Sequence, residues 1–256
     1  MATIPAGATF AHPTVKQVIF QIRFPKLFFL QSKIGDLQLG LMQRFPKSES
    51  VVHRAMIMAQ GTNESLQQLL KERPDDDEER IWKFEDEKGV VIEVKLDSLT
   101  ILSTKHTSYA NQPDPFRETL SFVTAVFFKQ APIPVVARVG LRYVDECPFP
   151  TLTNDTFSRY FDSCLPVGRF PIERGVELVC RAVCPRDGGM IRYAEAVVAK
   201  DNGHVLVVDM DAFAEHVASA SVLDTADKLH QIVRREFEAT IKEPVLHYMR
   251  TGELQP

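Results

Sequence analysis

Residues 15–24 alternate strictly. Val18, Phe20, Ile22 and Phe24 fall on one side and Ile19, Gln21 and Arg23 on the other, a period of two that predicts a half-buried strand ended by Pro25. The spacing then changes: Ile34, Leu37, Leu41 and Phe45 recur at helical intervals, with Asp36 in the first predicted turn and Pro46 as the stop. Residues 51–60 predict a strand and 63–73 a short helix with Leu66, Leu69 and Leu70 on one side. Residues 81–85 and 90–102 predict a hairpin around Asp86-Glu87-Lys88-Gly89. Asp114 and Pro115 open a helix to residue 128 that turns Phe116, Leu120, Val123 and Phe127 inward.

After Ala131-Pro132-Ile133-Pro134 the same order begins again. Residues 136–145 predict a strand with Val139, Leu141 and Tyr143 on one face and Arg138, Gly140 and Arg142 on the other. Thr153 or Asn154 caps a helix that buries Phe157, Tyr160, Phe161 and Cys164. Residues 176–184 and 190–200 predict strands joined through Pro185-Arg186-Asp187-Gly188-Gly189. Asp201-Asn202-Gly203 predicts a primed turn into a strand over 204–211. Asp224 caps a last helix carrying Leu229, Ile232, Val233, Phe237 and Ile241.

Each half therefore reads strand, helix, three strands, helix. One stretch aligns between them: Gly89 to Asp97 and Gly203 to Asp211 have the same spacing of eight. The expected fold class is α+β, built as two pseudo-repeated units with a mainly antiparallel sheet and helices on one side. The units are 15–130 and 135–256, preceded by an arm over 1–14. This order resembles the duplicated unit of the TATA-binding-protein-like fold, a resemblance of architecture that carries no function. Phe20-Gln-Ile-Arg-Phe-Pro25, Arg138-Val-Gly-Leu-Arg-Tyr143 and Glu236-Phe-Glu238 also resemble a sporadically distributed prokaryotic family of similar length. That second resemblance implies no activity, cofactor or catalytic residue.

Composition narrows the picture only slightly. The chain is 45% hydrophobic and 25% charged, as in ordinary globular proteins. A formal charge of −4 argues against a general nucleic-acid coat, which needs a basic domain. No basic leader with an apolar core opens the sequence, and no stretch reaches the roughly 18 apolar residues of a membrane span. The expectation is a cytoplasmic protein without a membrane partner. Cys180 and Cys184 lie four apart on a predicted strand, on one face and too distant to pair. With Cys147 and Cys164 they read as buried free thiols, with zinc or redox chemistry as the alternative. The histidines are scattered singly, and no phosphate loop, dinucleotide fingerprint or nucleophile elbow occurs. No cofactor is indicated.

Arginine inside strands is the main chemical signal. Arg23, Arg138 and Arg142 alternate with core positions, so they share the face opposite the helices, and Arg181 and Arg192 join them. They either pair with Glu93, Glu177, Asp97 or Asp209 across the strands or form an anion site, since guanidinium forks grip phosphate and carboxylate bidentately. Asp97, Asp209 and Asp211 lie at predicted strand ends, as metal ligands or as turn and cap residues. The run Pro74-Asp75-Asp76-Asp77-Glu78-Glu79 reads as a solvated loop, and Trp82 as core, with an interface anchor as its alternative. The functional expectation is a non-enzymatic binding protein using the open sheet face, its partner a protein or a phosphate-bearing ligand such as a nucleic acid or nucleotide. The alternative is a metal-dependent phosphodiester or nucleotide hydrolase using the three aspartates.

Overall fold

Among the described residues, nine antiparallel strands make one continuous sheet in the order β2-β3-β4-β5-β1-β6-β9-β8-β7. The computed structural model describes residues 4, 8–54, 78–106, 108–111, 115–174, 178–200 and 203–255. The predicted helix over 63–73, the carboxylates at 75–77, Asp114, Glu177 and the Asp201-Asn202 turn residues lie outside them. The strands are β1 (Val15–Arg23), β2 (Lys47–Arg54), β3 (Glu78–Glu85), β4 (Val90–Val94), β5 (Ser98–Ser103), β6 (Val135–Phe149), β7 (Val179–Arg186), β8 (Gly189–Lys200) and β9 (Gly203–Ala218). The helices are α1 (Leu30–Leu41), α2 (Phe116–Gln130), α3 (Asn154–Tyr160), α4 (Val222–Thr240) and α5 (Glu243–Thr251).

Strands β1 and β6 pair at the centre, Phe20 opposite Leu141 and Ile22 opposite Val139. From there the halves extend outward in the same manner. In each, the first strand is central, a helix follows, the next strand forms the outer edge, and the chain meanders back to pair with the first. A second helix closes each half. The core is one continuous cluster, in which Phe20, Phe127, Phe149, Phe157 and Tyr160 are fully buried. Burying such side chains contributes about 1.5–3 kcal/mol each.

Period-two alternation decides which side is covered. Val18, Phe20, Ile22, Val139, Leu141, Ile101, Ile92, Val208 and Met210 are buried beneath the helices. Helix α4 supplies Val222, Ala226, Leu229, Val233 and Phe237 to that layer, and α2 supplies Phe116, Leu120, Val123 and Phe127. Among the described residues no helix lies on the opposite face.

The structure departs from expectation at several element boundaries. Residues 90–102 are not one strand: Lys95 to Asp97 form a tight turn, with Lys95 N–H donating to Ser98 O at 2.9 Å. The segment leaving β1 holds this turn from outside, Phe24 N–H donating to Asp97 O at 3.0 Å and Leu27 N–H to Leu96 O at 2.7 Å. The first half thus carries one strand more than the second, and Asp97 sits in a turn whereas Asp211 lies within β9. Helix α1 starts at Leu30, so Asp36 lies at mid-helix and pairs with Lys33 at 3.1 Å. Helix α4 begins at Val222, before Asp224. Thr153 is the cap of α3, its side chain accepting from Thr156 N–H. All four cysteines are free, but only Cys147 is buried. Trp82 is in the core.

Candidate functional site

The uncovered face is assembled by register. Across β7-β8-β9-β6-β1 one row reads Val183, Arg192, Asp211, Arg142, Ile19, and the adjoining row reads Arg181, Ala194, Asp209, Val144. Four of the five predicted arginines therefore gather on the second half, around two of the three aspartates. The exceptions are Arg23, at the far end of β1 opposite Arg138 and Ser98 with its Nε donating to Gln21 at 2.8 Å, and Asp97, in the β4–β5 turn.

Two of these arginines are locked. Arg142 grips Asp209 with both ends of its fork, Nε to Oδ1 at 2.6 Å and Nη2 to Oδ2 at 2.5 Å. Those hydrogen bonds hold the Arg142 guanidinium above the ordinary arginine range. Arg138 donates to both oxygens of Asp211 at 2.7 Å and lies 4.7 Å over the ring of Phe213. Gly140 makes room for this: a methyl group there would sit 2.3 Å from Arg138 Nη1. Phe213 points to the uncovered face, opposite Gly140 and Met190. It is nevertheless buried, because the Arg138 and Arg192 guanidiniums roof it, a cation–π arrangement.

The remaining two are held less tightly. Arg192 makes one bond of 3.2 Å to Asp211 Oδ2, with 57% of its side chain exposed. Arg181 is exposed and has no carboxylate partner among the described residues. Ala194, directly opposite Arg181, leaves a shallow hollow of ≈ 550 Å³ between them. Arg142, Arg181, Val183, Arg192, Asp209 and Asp211 line it.

The aspartates do not converge as a metal site would. Asp209 and Asp211 are occupied by arginine, and Asp97 is three strand spacings from Asp211, about 14 Å across the sheet at ~4.8 Å per spacing. Asp97 is displaced along the strands as well, since the neighbouring Ser98 lies in the row of Arg23, Arg138 and Glu215. No group of three or more histidine, cysteine or carboxylate side chains suited to a metal ion occurs among the described residues. Among the described residues no helix is long and apolar enough to cross a membrane.

Sequence reasoning placed Gly140 between Arg138 and Arg142 on one strand face but read neither the room it leaves for Arg138 nor the ring of Phe213 beneath. The signal was the Arg-Val-Gly-Leu-Arg spacing, a glycine between two same-face arginines. Fold and site together define an α+β protein with an arginine-lined, uncovered sheet face. No protein-family model, curated protein or solved structure matches the chain.

Proposed function

We propose that this chain is a binding protein whose uncovered sheet face receives a partner, with the hollow on β6-β9-β8-β7 gripping an anionic group of that partner. One observation carries the reading: Arg181 faces the hollow beside Arg192 and Arg142 with no carboxylate to neutralise it among the described residues. An exposed guanidinium pointing into a concave, positively biased surface is poised for a phosphate or carboxylate fork. The locked Arg142–Asp209 and Arg138–Asp211 pairs make the floor rigid, so little ordering entropy is lost on binding. A like course in both halves, from a central first strand through a helix to the outer edge and back, supports descent from one duplicated unit, although the first half carries one strand more. It also supports the resemblance to the TATA-binding-protein-like architecture.

The test is titration of the full chain with inorganic phosphate and with a polyphosphate, followed by thermal shift and calorimetry. Binding is expected, with Arg181→Ala lowering affinity at least tenfold, about 1.4 kcal/mol, and leaving the melting temperature of the free protein unchanged. Unaltered binding by folded Arg181→Ala would remove the site.

A further inference from the structure

We infer that the hollow selects a phosphomonoester dianion attached to an apolar body, and discriminates against phosphodiester strands. This inference rests on the anion-binding reading above and adds the chemical class of the ligand.

Charge is the first argument. Four guanidiniums, of Arg138, Arg142, Arg181 and Arg192, meet two carboxylates, of Asp209 and Asp211, in and beside the hollow. Two positive charges stay uncompensated by those acids. A phosphomonoester carries up to two negative charges at neutral pH, whereas each linkage of a nucleic-acid strand carries one.

Geometry assigns the grip to two residues. Arg181 faces Ala194, and Arg192 faces Val183 one diagonal step away, a separation of about 7–8 Å between such strand positions. Both forks therefore reach one phosphate placed over Ala194. Arg192 can turn to it without orphaning Asp211, because Arg138 already holds both Asp211 oxygens. Arg138 and Arg142 act as positioning residues beneath the ligand.

The surroundings argue for an apolar remainder. Next to the arginine rows runs the row Val179, Ala196, Val207, which ends on β6 at Glu146, held by Lys200 at 3.0 Å, and beyond it lie Val198 and Val205. Val179 and Val198 are 45% and 38% exposed. In the opposite direction the face carries Glu93, Glu49 and Glu85 on β4, β2 and β3, held by Lys83 and Lys47, so it offers a polyanion laid across the sheet no excess of positive charge. A strand of nucleic acid would find its cations only at the hollow; a single terminal phosphate needs no others.

The experiment is calorimetry on the full chain with five probes: inorganic phosphate, phenyl phosphate, methyl phenyl phosphate, and an oligothymidylate with and without a 5′ phosphate. Phenyl phosphate is expected to bind tighter than inorganic phosphate and at least tenfold tighter than the diester. The oligonucleotide should bind only when it bears the terminal phosphate. With a second ionisation near pH 6, phenyl phosphate affinity should fall about fourfold from pH 7.5 to 5.5. Arg181→Ala and Arg192→Ala should each lower it at least tenfold, and Arg181→Lys, which keeps charge but loses the fork, should recover only part. Equal binding of the two phenyl esters, or of the two oligonucleotides, overturns the dianion inference and leaves the anion-binding reading standing. Failure of every probe with a folded protein overturns both.

Discussion

The two halves of the sheet hold charge differently. On β2, β3 and β4 the uncovered face carries Lys47 with Glu85 at 3.4 Å, and Lys83 with Glu93 at 3.3 Å and Glu49 at 3.9 Å. These are single contacts between flexible side chains, and Lys47 and Glu49 are each 64% exposed. On β6 and β9 the pairs are arginines on aspartates, Arg142 with both arms of its fork and Arg138 through Nη2 alone, and both partners of Arg138–Asp211 are less than a fifth exposed. Solvated lysine pairs contribute about 0–1 kcal/mol and rearrange freely, whereas planar forks on short aspartates fix a geometry. The difference extends to the covered face, where Asp145 and Glu195 are the only buried carboxylates among the described residues and both belong to the second half. One half is a scaffold with an ordinary charged surface; the other stores its polar groups in defined positions.

The largest expected effect lies where the halves touch. His106 of the first half stands edge-on to Tyr143 at 5.4 Å. His230 of α4 shares a 3.3 Å hydrogen bond with Tyr143 and stacks on Tyr109 at 4.0 Å. Asp227 accepts from Tyr109 and Arg117, and Arg234 adds positive charge near His230. Burial lowers both histidines from 6.5 to about 4. They stay neutral in the folded chain while the unfolded chain protonates, so their contribution is whole above pH 6.5 and is lost as pH falls toward 4. Urea unfolding at pH 7 and pH 5 should differ by on the order of 3 kcal/mol from this pair, and His230→Gln should flatten the slope.

The second effect has the opposite sign. Burial raises Asp145 to about 7, and its Oδ1 accepts from Thr14 Oγ1 at 2.8 Å. A carboxyl with a raised folded pKa stabilises most below its ordinary value of 3.8, and that stability is lost as pH rises through 7. Asp145→Asn should therefore raise stability by about 2.5 kcal/mol more at pH 8 than at pH 5, where part of the gain is already present, as thermal melts would show. A matching gain at both pH values would mean that packing, not ionisation, is responsible.

Asp211→Asn sharpens the comparison directly. It loosens Arg138 from its place over Phe213 and removes a negative charge beside the hollow. Stability should drop by about 1–2 kcal/mol while phosphate affinity rises. The smallest effect is Glu85→Gln in the first half, expected within about 0.5 kcal/mol with unchanged phosphate affinity. Equal losses in the two variants would erase the distinction between the halves.

Much of the fold was legible because alternation and helical spacing are local. Val18-x-Phe20-x-Ile22 needs only its own residues to announce a half-buried strand. The β4–β5 turn was illegible because Lys95-Leu96-Asp97 has no glycine or proline, and the chain turns there under hydrogen bonds from Phe24 and Leu27. Helix α5 was missed because Val245 and Met249 continue the four-residue spacing of Val233, Phe237 and Ile241, although Pro244 in its first turn marks a new start.

For the site, sequence alone put Arg23, Arg138, Arg142, Arg181 and Arg192 on one face, since side-chain direction follows from position along a strand. Only the tertiary structure decided that Arg142 would meet Asp209, that Arg138 would share Asp211 with Arg192, and that Arg181 would stand beside a hollow. Those outcomes depend on strand order and register, which bring residues about 70 positions apart into adjacent rows. No local pattern specifies a neighbour at that distance; the packing of the helical layer on the opposite face does.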